Sequence, residues 1–122
     1  MVTIKAYTDL SQSKILSKIL PLESADMGWY YSRNPQAARN QMWLGTKAEN
    51  ADIPCWSLAA LLDVLPIVDL CIPTLKMKLN HKYYMELCID CANYKYISTN
   101  DYDSPVDACY EIILKLHELK ML

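Results

Sequence analysis

The chain has 122 residues, 52% hydrophobic and 21% charged, with a formal net charge of −2, enough to bury one core unaided and too apolar for a disordered chain. The near-neutral balance offers no clustered cations for nucleic acid and no attraction to an anionic membrane, and no run approaches the roughly 18 apolar residues of a membrane span. Met1-Val2-Thr3-Ile4-Lys5 has no basic-then-apolar leader pattern, so the five irregularly spaced cysteines read as reduced thiols and the expected location is the cytoplasm.

Thr8 or Asp9 can cap a first helix over about Leu10–Leu20, with Leu16, Ile19 and Leu20 as its apolar stripe and Pro21 as its stop. From about residue 22 to 52 the periodicity fails. Both glycines, Gly28 and Gly45, lie there with Pro35, and the stretch reads as a long irregular segment with room for a short hairpin. Ile53–Pro66 reads as one apolar helix running from Cys55 or Ser57 to Leu65. Leu58, Leu61, Leu62 and Leu65 form one face, and Pro66 ends it. Ile67–Ile72 is short and apolar, a strand or a turn.

The clearest β signal follows. Leu75, Met77 and Leu79 alternate with Lys76 and Lys78; Tyr83, Met85, Leu87 and Ile89 alternate with Tyr84, Glu86, Cys88 and Asp90. Pairing 79 with 83, 77 with 85 and 75 with 87 keeps both apolar sets on one face and leaves Asn80-His81-Lys82 as the turn. Lys76 then faces Glu86, and Lys78 faces Tyr84. Tyr94–Ser98 returns as a further strand, with Tyr94 and Tyr96 joining the apolar face. Ser104 caps the last helix, Pro105 takes its first position and Asp107 resembles the second half of a capping box. Its stripe is Val106, Cys109 or Tyr110, Ile113, Leu116 and Leu119 or Lys120. The expected fold is α+β: one domain over 1–122, a small antiparallel meander with about three helices on one face.

Few residue groups suggest chemistry. Cys88-Ile89-Asp90-Cys91 has the spacing of one half of a tetrahedral zinc site, but no second Cys-x-x-Cys or His pair completes it. His81 is a weak third candidate at the far end of the hairpin. The pair sits at a strand end rather than at the helix N-terminus that activates a redox thiol, so the favoured reading is structural cysteines without metal or other cofactor. Cys55 lacks an imidazole partner and reads as a small buried hydrophobe. Asp101, Asp103 and Asp107 lack the glycine and glutamate of a calcium loop and read as complements to the start of the last helix. Ser57 lacks the glycines of a nucleophile elbow, and two glycines cannot build a phosphate cradle.

The irregular stretch holds both arginines, Arg33 and Arg39, among Trp29, Tyr30, Tyr31, Gln41 and Trp43. This is hot-spot composition, and also that of a stacking platform for single-stranded nucleic acid; the plainest alternative is a loop pinned to the body by its own aromatics. Cys55-Trp56-Ser57-Leu58-Ala59-Ala60-Leu61-Leu62 through Leu65-Pro66, Asp107-Ala108-Cys109-Tyr110-Glu111, Leu116-His117-Glu118-Leu119, Gln12-Ser13-Lys14 and Leu20–Met27 together resemble a family of short uncharacterised proteins from gut anaerobic bacteria, carried largely on prophage-like or mobile elements. The resemblance spans most of the chain. It implies a bacterial cytoplasmic setting and an accessory role in a mobile element, and it supplies no activity, cofactor or site residue. The expected function is a non-catalytic interaction module engaging a protein partner or itself through Trp29, Tyr30, Tyr31, Arg33, Arg39 and Trp43. A thiol- or metal-dependent protein using Cys88 and Cys91 is the alternative, and single-strand binding a third.

Overall fold

Asp9 opens the first helix, α1 (Leu10–Leu16), in a reciprocal cap. Its carboxylate accepts from the Gln12 N–H at 2.8 Å, and the Gln12 side-chain oxygen accepts from the Asp9 N–H at 3.1 Å, satisfying two donors that the first turn leaves unpaired. The helix is shorter than its stripe suggested. Residues 17–20 continue as turns, and the Leu20 N–H donating to Leu16 O at 2.8 Å keeps Leu20 in the core. The structure, a computed structural model, describes residues 4–31, 42–68 and 70–122.

The stretch expected to be irregular contains a second sheet. Strands β1 (Met27–Tyr31), β2 (Met42–Gly45) and β3 (Ile53–Cys55) run antiparallel in the order β2-β1-β3. Gly28 pairs with Gly45, and the Tyr30 ring folds over both: a Cβ on Gly45 would lie 2.5 Å from Tyr30 Cε2. Pro54 has no N–H to donate, and β3, as an edge strand, tolerates it. The apolar helix therefore starts later than expected. Ile53–Cys55 are strand, and α2 covers Leu58–Val64 with Ser57 as its cap, Oγ accepting from the Ala60 N–H at 3.2 Å. Leu61 and Leu65 are buried, while Leu62, expected on the same face, is exposed.

Strands β4 (Thr74–Met77), β5 (Tyr83–Asp90) and β6 (Lys95–Ser98) form the expected meander. Its register differs by two residues from the expected one: 77 pairs with 83 and 75 with 85. A two-residue slip preserves which side chains face the core, so the hydrophobic pattern does not distinguish the registers. The turn does. Lys78 N–H donates to Lys82 O at 2.8 Å, leaving Leu79-Asn80-His81 as the reversal, with His81 left-handed at φ 61°. Lys76 lies opposite Tyr84 and reaches Glu86 diagonally at 2.7 Å; Lys78 lies 5.3 Å over the Tyr84 ring. On the other side of β5 the pairing shifts between Cys88 and Asp90. That bulge turns Tyr96 opposite Cys88 and Ile97 opposite Leu87, so Tyr94 and Tyr96 are exposed rather than on the apolar face.

The last helix, α3 (Pro105–Glu118), is capped by Ser104, whose Oγ accepts from the Val106 N–H at 3.2 Å. Of the three aspartates expected to complement its start, Asp107 lies in the first turn as expected, and each also holds a lysine: Asp101 to Lys78, Asp103 to Lys82 and Asp107 to Lys5. Val106, Cys109, Ile112, Ile113 and Leu116 of α3 close one core with Leu16, Leu20, Trp56, Leu61, Leu65, Met85 and Leu87. Burying each large side chain contributes about 1.5–3 kcal/mol. The expected α+β class holds, with two small antiparallel sheets among the described residues where one meander was expected.

Candidate thiolate centre

Two turns bring three cysteines together. At the end of β5 the Asp90 carboxylate accepts from the Asn93 side-chain amide at 2.7 Å and from its backbone N–H at 3.3 Å, an Asx-type reversal. These hydrogen bonds hold the Asp90 carboxyl below its usual range. Tyr94 completes the reversal in the left-handed region at φ 53° and donates its N–H to Cys91 O at 3.4 Å. Cys91 thereby folds back beside Cys88, and the two Sγ atoms are 2.8 Å apart.

The third cysteine comes from the connection after α2. Val68 and Cys71 exchange backbone hydrogen bonds of 2.7 and 3.2 Å around a tight reversal. Leu70 within it is left-handed at φ 67° and 94% exposed. That conformation costs a leucine roughly 1–3 kcal/mol, as it does Tyr94 on the other side of the centre. Cys71 lands on Cys88 and Cys91, and all three Sγ atoms lie within 4.8 Å of one another. Cys88 is buried, while Cys71 and Cys91 are half-buried.

Cys71 and Cys91 are joined as a disulfide, with Cα atoms 7.5 Å apart. The expectation of five reduced thiols is therefore corrected. The bridge ties two turns separated by 20 residues, a closure worth about 3 kcal/mol on chain-entropy grounds. The Cα separation exceeds the roughly 4.4–6.8 Å that most disulfides span. Two thiolates on one tetrahedral zinc stand about 3.8 Å apart, given a zinc–sulfur bond of about 2.3 Å; the three sulfurs, all within 4.8 Å, come close enough to share an ion once the Cys71–Cys91 bond is reduced and the 2.8 Å Cys88–Cys91 approach opens.

The structure places the other candidates elsewhere. His81 lies in the β4–β5 turn, seven residues before Cys88 and so roughly 23 Å along the strand. It borders concavities of about 730 and 310 Å³ with Asn80 and is not part of the thiol group. Cys55 is fully buried, its thiol donating to Thr8 O at 3.4 Å, and burial raises its pKa. Cys109 is likewise sealed in the core, where burial pushes its thiol to about 12. Ser57 donates its hydroxyl to Asp26 and caps α2.

Of the aromatic stretch, Arg33, Arg39 and Gln41 lie outside the described residues. Trp29 is pinned: its Nε1–H donates to Ser13 Oγ at 3.2 Å, and its ring meets Tyr7 edge-on at 6.1 Å. The Tyr30 hydroxyl donates toward Lys47 O and Glu49 O at 2.7 and 2.9 Å. Tyr31 and Trp43 are exposed, at 48% and 60%. Because Tyr30 pairs with Trp43 across the ladder, Tyr31 and Trp43 point to opposite faces of the sheet.

Cys71 carries no signature in the sequence: it stands in the apolar run Ile67–Ile72, 17 residues before Cys88 and outside any Cys-x-x-Cys spacing. The only signal was that a Cys-x-x-Cys half-site needs partners and few donors remained. Comparison with protein-family models, with curated proteins and with solved structures finds no match to this chain. No helix among the described residues is long and apolar enough to cross a membrane.

Proposed function

We propose that this chain is a small soft-metal module, in which Cys71, Cys88 and Cys91 of the reduced protein hold one zinc ion. The observation that supports this reading is the convergence of three sulfur donors from two separate turns within 4.8 Å. An all-sulfur donor set favours zinc or another thiophilic metal over magnesium or calcium, which take oxygen ligands. Both turns contain a left-handed residue that is not glycine, Leu70 and Tyr94, and a shared ion offsets that conformational cost. Metal at this point clips the α2–β4 connection to the β5–β6 hairpin, a role in stability and presentation rather than in turnover. A reducing compartment, such as the bacterial cytoplasm that the family resemblance implies, would favour this metal-holding form over the disulfide.

The test is native mass spectrometry of protein reduced and exchanged into zinc. One zinc per chain is expected, retained in Cys55→Ser and lost in Cys71→Ser, Cys88→Ser and Cys91→Ser, with circular dichroism confirming that each variant folds. A metal-free reduced protein, or zinc retained when Cys71 is replaced, overturns the reading.

A second reading, the protein-interaction module expected from composition, draws support from Trp43, exposed on β2, which is an edge strand among the described residues. Trp43→Ala is then expected to abolish self-association seen by sedimentation without lowering the unfolding midpoint. A monomer at every concentration removes self-association as that interaction.

A further inference from the structure

The three thiols of the centre are arranged for two mutually exclusive states. Cys71 and Cys91 are already bonded, while Cys88 Sγ stands 2.8 Å from Cys91 Sγ as a third, buried thiol. A metal ion needs all three sulfurs as thiolates, and the bridge withdraws two of them. The same two turns supply the sulfurs of both states, and passing from the bridge to the ion asks the bonded pair and the 2.8 Å Cys88–Cys91 approach to open toward the spacing of zinc ligands.

We propose that the centre is a peroxide-responsive metal clip: reduced, it holds zinc; oxidised, it forms the Cys71–Cys91 disulfide and gives up the ion. This deepens the metal reading above and rests on it. The chemistry balances with hydrogen peroxide as the oxidant. The thiolate of Cys91 or Cys71 attacks one peroxide oxygen; an S–O bond forms, the O–O bond breaks, and the departing hydroxide takes a proton to become water. The other thiolate then attacks that sulfur, forming the S–S bond and expelling the second oxygen, again as water. Two thiols and one hydrogen peroxide give one disulfide and two waters, the sulfurs oxidised and the peroxide oxygens reduced. Starting from the zinc-bound thiolates, solvent supplies the two protons that leave in water, and Cys88, released from the ion, takes one more to become a thiol. One thiolate is too few to retain the ion, which leaves for solvent.

Access makes the reaction selective. Cys71 and Cys91 are half-buried, whereas Cys55 and Cys109 are completely shielded. Burial also raises both of those thiols above their ordinary range, which leaves them poor nucleophiles. Oxidation therefore falls on the exposed end of the cluster and spares the core.

The experiment titrates the zinc-loaded, full-length protein with hydrogen peroxide while a chromogenic chelator reports free zinc and peptide mapping locates the bond. Expected is release of one zinc per peroxide consumed, a mass two hydrogens below that of the reduced, metal-free chain, and a disulfide mapped to Cys71–Cys91. Reduction with a dithiol should restore zinc binding. Cys88→Ser provides the second arm: it should bind no zinc yet still form Cys71–Cys91, separating loss of the metal site from loss of the switch. A bond mapped to Cys88–Cys91 in the unmodified chain, sulfinic acid in place of a disulfide, or zinc kept through one equivalent of peroxide overturns the proposal. If the reduced chain binds no zinc at all, the metal reading itself falls, and the mapped bond in that metal-free protein shows whether the thiol pairing survives it.

Discussion

At the scale of single residues, the two glycines explain the small sheet. A Cβ on Gly28 would stand 2.9 Å from Lys47 O as well as against the Ala51 methyl, and a backbone carbonyl cannot swing aside as a side-chain tip does. Gly28→Ala is expected to lower stability by about 1–3 kcal/mol, the usual cost of overpacking, read as a lowered urea midpoint at unchanged slope. A second residue sets behaviour in alkali. The Tyr102 hydroxyl donates to Glu111 Oε1 at 2.7 Å, and that bond, with burial, raises the phenol to about 12 from an ordinary 10. The fold therefore favours the protonated phenol. Its contribution is complete below pH 10 and is lost as pH climbs through 10 toward about 12. Tyr102→Phe should be less stable than the parent at neutral pH, and the difference should shrink over that window. A difference that stays constant across the window would show that the phenol does not titrate as the hydrogen bond requires.

Among the elements, α3 carries the largest share of the core, and its stripe ends sooner than its periodicity suggested. Leu116 is fully buried, whereas Leu119, one turn on and expected in the same stripe, is about half exposed as the cap of the helix. Leu116→Ala should cost about 2–5 kcal/mol and Leu119→Ala less than about 1 kcal/mol, a contrast that equilibrium denaturation of the two variants measures directly. Equal losses would mean that the C-terminal turn packs more tightly than its exposure indicates. The start of α3 is tied to α1 by Asp107, which accepts from Lys5 and from the Gln12 side chain, both at 2.7 Å. Burial alone would lower the Lys5 pKa, but the hydrogen bonds its ammonium donates to Asp107 and Asp9 raise it overall. The ion pair, partly buried, links the two ends of the chain.

For the molecule as a whole, the centre joins the connection between α2 and β4 to the far end of the β4–β5–β6 sheet. Zinc that binds only the folded, reduced chain stabilises it by mass action, about 2.7 kcal/mol at a hundredfold excess over the dissociation constant. The thermal midpoint of the reduced protein should rise with zinc and return to its starting value with chelator. The disulfide-bonded form should show no response to either. A midpoint insensitive to zinc under reducing conditions would remove the ion from any part in stability.

The helices capped by Asp9 and Ser104, the β5 hairpin and the cysteine half-site at 88 and 91 were legible in the chain. Each rests on interactions within a few residues, or on a side-chain period that burial enforces. The register of that hairpin was not, because a slip of two keeps each side chain on the same face of the sheet and only the turn's hydrogen bonds decide between the alternatives. The β1–β2–β3 sheet was not legible either: Trp29-Tyr30-Tyr31 shows no alternation, and its pairing depends on glycines 17 residues apart meeting under one tyrosine ring. Cys71 belongs to the same class. Sequence alone determined the fold class and two of the three members of the thiol group, since local hydrogen bonding and periodic burial are written along the chain. The third sulfur was decided by tertiary structure, because two turns distant in sequence meet only when the core has already placed them.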